Sequence, residues 1–277
     1  MTGYEKLLQH AAEQAEGLYQ PQDEDYVGPD GLLYCGKCHT RKQHRVLVGG
    51  EERLIGQLCQ CQAEQKRAEK QAIEQQAGAQ RLQRRRKELI TNKLLLDCSF
   101  QGAVETDVIK KCRNYAQALC RGRVGNRGLL LWGGVGSGKT FAAACVANFA
   151  IDNGVVAKIT SLPRVNGSNM DERRKFLDAM PGWGLLVLDD LSTERDTATA
   201  NETTFQVINT RYESKKPMII TTNLSIEQLH HPENQHQARI YDRVLEVCTP
   251  LFCGETSMRK TAARNNLEKM RKILQGE

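Results

Sequence analysis

The stretch Leu129-Leu-Leu-Trp-Gly-Gly-Val-Gly-Ser-Gly-Lys-Thr140 holds the residue types that could grip a triphosphate. Gly133, Gly134, Val135, Gly136, Ser137, Gly138, Lys139 and Thr140 spell G-x-x-x-x-G-K-T, after an apolar run and before the small-residue pattern Phe141–Asn148. A triphosphate needs several donors converging on it. Glycines let backbone N–H groups turn inward without Cβ clashes, and a helix starting at the loop adds its positive end. Lys139 is spaced to reach the β- and γ-phosphates, and Thr140 to offer its hydroxyl to Mg²⁺.

A second group lies downstream. Leu185-Leu-Val-Leu-Asp-Asp190 is an apolar strand that delivers two carboxylates at its C-terminal tip, where ligands bind in open α/β sheets. Asp189 is the candidate Mg²⁺ partner across from Thr140, and Asp190 the candidate that polarises an attacking water. Met218-Ile-Ile-Thr-Thr-Asn223 ends another strand, so the Asn223 amide can reach the γ-phosphate or that water. Arg239 and Arg243 stand four residues apart and share a helix face, from which one could be aimed across a subunit interface. Arg259 begins a C-terminal helix.

A third group has different chemistry. Cys35-Gly-Lys-Cys38 and Cys59-Gln-Cys61 pair thiols at metal-ligand spacing, and zinc accepts four sulfurs. The C-x-C pair is tighter than the usual second C-x₂-C, so His39 or His44 could replace one ligand. Four thiolates leave no open position, which makes the metal structural rather than catalytic.

These groups need elements to hold them. Between the thiol pairs, a Val- and Leu-bearing segment suits a β-hairpin turning at Gly49-Gly50. Tyr4–Leu18 reads as a short amphipathic helix, packed on the next module or docked on a partner, and the segment from Pro21 to Asp30 as a polar turn region. Gln62–Asn92 is made of good helix formers, with a basic cluster Arg84-Arg-Arg-Lys87. That cluster is either a solvated face or a basic handle for single-stranded DNA or an acidic partner. From residue 98 on, strands at Leu129–Trp132, Val155–Thr160, Leu185–Asp189, Met218–Thr222 and Val247–Phe252 alternate with helices near 111–121, 139–152, 170–180, 200–213 and 225–246. Such alternation predicts an α/β fold, a parallel sheet covered by helices on both faces. The expected domains are 1–61, the N-terminal helix and zinc knuckle; 62–97, a charged helical linker; and 98–277, the nucleotide domain.

Composition narrows the class. The net charge of +6 permits nucleic-acid contact. No apolar run approaches the roughly 20 residues needed to span a bilayer, and the N-terminus lacks a signal-peptide pattern. Ten cysteines without an export pattern read as reduced thiols, which suits a cytoplasm.

The ordered set of Gly-Gly-Val-Gly-Ser-Gly-Lys-Thr, Leu-Val-Leu-Asp-Asp-Leu, Thr-Thr-Asn-Leu, Arg-Ile-Tyr-Asp-Arg and Ser-Met-Arg resembles the AAA+ ATPases over residues 98–260. More narrowly it resembles the DnaC/DnaI-type helicase loaders and the related IstB-type transposition ATPases, from phage or bacterial replication. By this resemblance Asn223 matches sensor 1, Arg239 the arginine finger and Arg259 sensor 2. The resemblance implies ATP and Mg²⁺ at a site between self-assembled subunits, and an N-terminal domain that binds a hexameric replicative helicase. It further implies single-stranded DNA as a partner and slow, assembly-dependent hydrolysis. The IstB-type alternative keeps the ATPase but exchanges the helicase for a transposase on duplex DNA. Two features depart from the pattern. Asp190 stands where Glu is frequent, and the segment from Ser161 to Met180, with Pro163 and Gly167, is short where loaders carry an additional DNA-holding helix.

Overall fold

The computed structural model describes residues 24–191 and 198–258, together with positions 267, 270, 271, 274 and 275. The expected Tyr4–Leu18 helix and Arg259 lie outside the described residues. The chain divides into two compact units, residues 1–80 and 81–277. The boundary falls inside one helix, α1 (Gln60–Leu89).

The first unit holds two small antiparallel ladders. β1 (Tyr26–Val27) pairs with β2 (Leu33–Tyr34), and β3 (Gln43–Val48) with β4 (Glu51–Gly56). Gly49 and Gly50 take positive φ of 63° and 90°, the left-handed pair that a tight hairpin turn requires. Little apolar surface is buried here: Leu32, Cys35 and Cys59 are the buried apolar side chains among the unit's described residues.

The second unit is a five-stranded parallel sheet in the order β6-β7-β8-β5-β9. Its strands are β5 (Gly128–Trp132), β6 (Ala157–Ser161), β7 (Leu185–Leu191), β8 (Met218–Thr222) and β9 (Cys248–Phe252). Residues on successive positions of a strand face opposite sides. Leu129, Leu131, Leu185, Val187 and Ile219 therefore join one apolar cluster, with α2 (Asp107–Cys120) and α3 (Lys139–Asp152). Leu130, Leu186, Leu188, Met218 and Ile220 join the other, under α6 (Ala198–Glu213) and α8 (Gln235–Val247). Burial on both faces is why these strands read as unbroken apolar runs in the sequence. Between β6 and β7 lie α4 (Leu162–Asn166) and α5 (Met170–Ala179), and α7 (Ile226–His230) precedes α8.

The basic cluster at the end of α1 is largely spent inside this unit. Arg86 grips both carboxylate oxygens of Asp152 at 2.5 and 2.6 Å, at the C-terminal end of α3. Arg85 donates to the Gly154 carbonyl, and Arg84 meets Glu88 one turn on. Just beyond the helix, Ile90 forms a parallel bridge to Ile159, so the linker covers the β6 edge of the sheet.

Candidate nucleotide site and cysteine cluster

At the C-terminal tips of β5, β7 and β8 lies a cavity of about 750 Å³. The phosphate-loop candidates Val135–Thr140, Asp189, Asp190 and Asn223 all line it. The loop needs its glycines for two separate reasons. Gly133 has φ 138°, and a Cβ there would stand 2.6 Å from the Gly254 carbonyl oxygen; Gly136, at φ 82°, would collide with the Ser257 hydroxyl. Helix α3 then starts at Lys139 behind Gly138, which offers no side-chain cap, whereas Thr106, Asn169 and Asn234 cap α2, α5 and α8. Its first N–H groups are left for a ligand, as an anion site requires.

Lys139 is buried, and its ammonium donates to three acceptors at 2.8 Å: the carbonyls of Gly133 and Gly134 and Oδ1 of Asn223. Burial holds this ammonium below its usual pKa, while nearby Cys253, Asp189, Asp190 and Glu255 push it back up. The Thr140 hydroxyl donates to Asp189 Oδ1 at 2.7 Å, and the Thr221 hydroxyl donates to the same oxygen at 2.7 Å. The expected Lys139, Thr140, Asp189, Asp190 and Asn223 thus meet in one place. Thr140 and Asp189 are the oxygen donors that could hold Mg²⁺, a hard cation that prefers carboxylate and hydroxyl oxygens with water.

The two arginines of α8 differ. Arg239 is exposed and does not line the cavity. Arg243 is half-buried, with its guanidinium 4.9 Å from the Phe205 ring centre and 5.8 Å from that of Tyr212, and it donates to the Arg239 carbonyl. Packing of α6 on α8 occupies Arg243 and leaves Arg239 on the surface.

In the first unit, Cys35, Cys38, Cys59 and Cys61 bring their sulfurs within 4.8 Å of one another. Cys35 to Cys61 is 3.6 Å and Cys59 to Cys61 is 3.2 Å. A tetrahedral zinc with bonds of about 2.3 Å sets its sulfurs about 3.8 Å apart, so the cluster fits with small adjustments. Charge points the same way. A hydrogen bond from the Thr40 hydroxyl pulls Cys38 down to about 5, while Cys59 and Cys35 at close range push Cys61 up to about 12. Four such thiols cannot all ionise without a cation among them. Neither histidine belongs to the cluster, and the His39 ring bonds the Tyr26 hydroxyl at 3.2 Å instead.

Residues 66–266 match the family described as IstB-like ATP binding protein. The chain belongs to that family. The replicative helicase loader DnaI of Bacillus subtilis (strain 168) is 25% identical over 143 residues, 45% of this chain and 45% of its own length. The chromosomal replication initiator protein DnaA of Lacticaseibacillus casei (strain BL23) is 28% identical over 102 residues, 34% of this chain and 23% of its own. The chain therefore spans less than half the length of these relatives. A crystal structure of DnaI superposes with a TM-score of 0.51 at 24% identity, over 60% of this chain and 97% of that one, and so shares the fold. The resemblance to DnaC/DnaI-type AAA+ proteins stands on this fold and family. The IstB-like domain is the α/β sheet with flanking helices that the strand pattern predicts. Among the described residues no helix is long and apolar enough to cross a membrane.

Three parts of the candidate site are ones to which the sequence assigns no role. Gly102–Val104 and Val108 wall the cavity on one side. The segment from Cys253 to Met258 straps the phosphate loop through backbone bonds: Cys253 N–H to Trp132 O, Gly134 N–H to Gly254 O and Met258 N–H to Gly136 O, at 2.8, 3.0 and 2.9 Å. Thr221 is the third, and its one signal is its place beside Asn223 in Thr-Thr-Asn.

Proposed function

We propose that this chain is an ATP-hydrolysing helicase loader, which binds a hexameric replicative helicase and places it on single-stranded DNA. One observation carries the reading: Lys139 bonds Asn223 and Thr140 bonds Asp189 in one cavity at the tip of the sheet, in a chain whose separate N-terminal unit holds four clustered thiols. In this reading Gly133–Thr140 cradles the phosphates of ATP, and Lys139 exchanges its loop carbonyls for phosphate oxygens. Thr140 and Asp189 would hold Mg²⁺, which when bound neutralises charge between the β- and γ-phosphates. Asp190 orients the attacking water, Asn223 reaches between water and phosphate, and Arg239 of a neighbouring subunit and Arg259 complete the site. Cys35, Cys38, Cys59 and Cys61 would hold a structural zinc. Kinship with a protein named as a replicative helicase loader favours the helicase as partner.

A second reading has its own support, since the matching family carries the IstB description. There the same ATPase acts on duplex DNA beside a transposase. Native mass spectrometry of the chain mixed with a replicative helicase, with and without ATP, separates the two. A helicase hexamer carrying several copies of this chain supports the loader. Assembly confined to duplex DNA and ATP, with no helicase complex, supports the transposition ATPase.

A further inference from the structure

Strands β7 and β8 run in regular parallel register as far as Leu188 opposite Ile220, and then the register slips so that Leu191 faces Thr222. Asp189 and Asp190 therefore share one partner position, Thr221. This is a β-bulge, with one residue too many on β7, and bulges re-aim side chains where they occur. Asp190 takes φ 66°, a left-handed conformation costly for a residue with a Cβ and held only by its surroundings. The surroundings here are two threonines. The Thr221 hydroxyl accepts the Asp190 N–H at 2.9 Å and donates to Asp189 Oδ1 at 2.7 Å. The Thr222 hydroxyl donates to the Leu191 carbonyl at 2.5 Å and closes the far side. Both threonines are almost wholly buried, at 2% and 1% exposure.

We propose that Thr221 is a positioning residue for the two carboxylates. Its single hydroxyl ties the backbone of Asp190 to the side chain of Asp189, and Asp189 Oδ1 already receives the hydroxyl of Thr140. Orientation therefore passes along one chain of hydrogen bonds, from the Asp190 amide through Thr221 and Asp189 to Thr140. Without that hydroxyl the Asp190 N–H loses its Thr221 acceptor beside a left-handed turn, and Asp189 Oδ1 loses one of its two hydroxyl donors. Valine keeps the β-branched shape of threonine and removes only the hydroxyl; serine keeps the hydroxyl and removes the methyl. The effect on chemistry rests on the ATPase reading, but the hydrogen-bond chain does not.

The test uses the full chain as wild type, Thr221→Val and Thr221→Ser. A fluorescent ATP analogue is titrated with and without added Mg²⁺, turnover is measured, and amide exchange is followed at Asp190. Outer hydrogen-bond partners of metal-binding groups typically contribute about 10–100-fold to metal affinity or activity. Thr221→Val is expected to keep the Mg²⁺-free affinity, to lose about 10–100-fold of the Mg²⁺-dependent gain and of turnover, and to exchange faster at Asp190; Thr221→Ser restores all three. Equal impairment of Val and Ser variants, or a Val variant with wild-type Mg²⁺ response and exchange, overturns the proposal. If wild type itself shows no Mg²⁺-dependent nucleotide binding, the ATPase reading fails separately. Asp190 exchange then decides alone: faster in Val and normal in Ser supports the role of the Thr221 hydroxyl, and no change removes it.

Discussion

Lys139 holds three acceptors with one buried ammonium, two of them carbonyls of the loop it would fill. Phosphate oxygens are stronger acceptors for a charged donor than carbonyls are, so a ligand can displace these contacts at a gain. Lys139→Ala removes the charge and leaves the loop glycines in place. A charged hydrogen bond contributes about 1.5–3 kcal/mol, so nucleotide affinity should fall at least about tenfold while far-UV circular dichroism stays unchanged. Titration of a fluorescent nucleotide reads the first, and unchanged affinity would show that the cavity does not bind phosphates through this residue. The residues legible in the sequence share one property: each belongs to a motif whose spacing follows from phosphate or metal geometry. Lys139, Thr140, Asp189 and Asn223 were readable for that reason. Thr221 was not, because its role depends on a register slip between β7 and β8 that no spacing within β8 reveals. Nor were the Gly254 and Met258 contacts, which are made by backbone and could be made by many sequences.

At the scale of elements, apolar runs buried on both faces made the five strands readable to within a residue or two. The fate of the α1 basic cluster was less readable. Arg85 and Arg86 look solvent-bound on a charged helix, and only the return of the chain beside Asp152 and Gly154 gives them partners. The knuckle is the opposite case, since four cysteine positions predicted a cluster that the turn after β2 and the start of α1 bring together. With few buried apolar residues to hold it, a zinc on the four thiols would contribute much of its folding energy, on the order of 10–16 kcal/mol in zinc-finger peptides. Chelation should therefore speed hydrogen exchange across residues 35–61 to near-unfolded rates. Exchange in β5 to β9 and nucleotide affinity should hold, because those strands draw on a separate core. Slow exchange across 35–61 after complete metal removal would show that the hairpins are self-supporting.

At the scale of the whole molecule, the candidate nucleotide cavity is lined by its loop, two carboxylates and the Asn223 amide, and among the described residues no arginine lines it. Stabilising charge on a transferring γ-phosphate is the task of such a cation, and a missing one lowers phosphoryl-transfer rates by about 10³–10⁵. The α8 arginines offer one candidate. Arg243 is held by the rings of Phe205 and Tyr212, and Arg239 is exposed and outside the cavity, which suits a group that acts on a neighbour's nucleotide. Arg239→Ala should bind nucleotide like wild type and lose about a thousandfold in turnover. Reduced turnover alone does not distinguish a neighbour's finger from a local effect, but mixing does. A Lys139→Ala subunit, held at a nucleotide concentration too low to load its weakened site, still carries an intact Arg239, and an Arg239→Ala subunit has the reverse defect. If the finger acts between subunits, the mixture regains turnover at every interface where Lys139→Ala presents Arg239 to a loaded Arg239→Ala neighbour. If Arg239 acts within its own chain, no ratio of the two inactive variants recovers activity, and the site must be completed without a second copy.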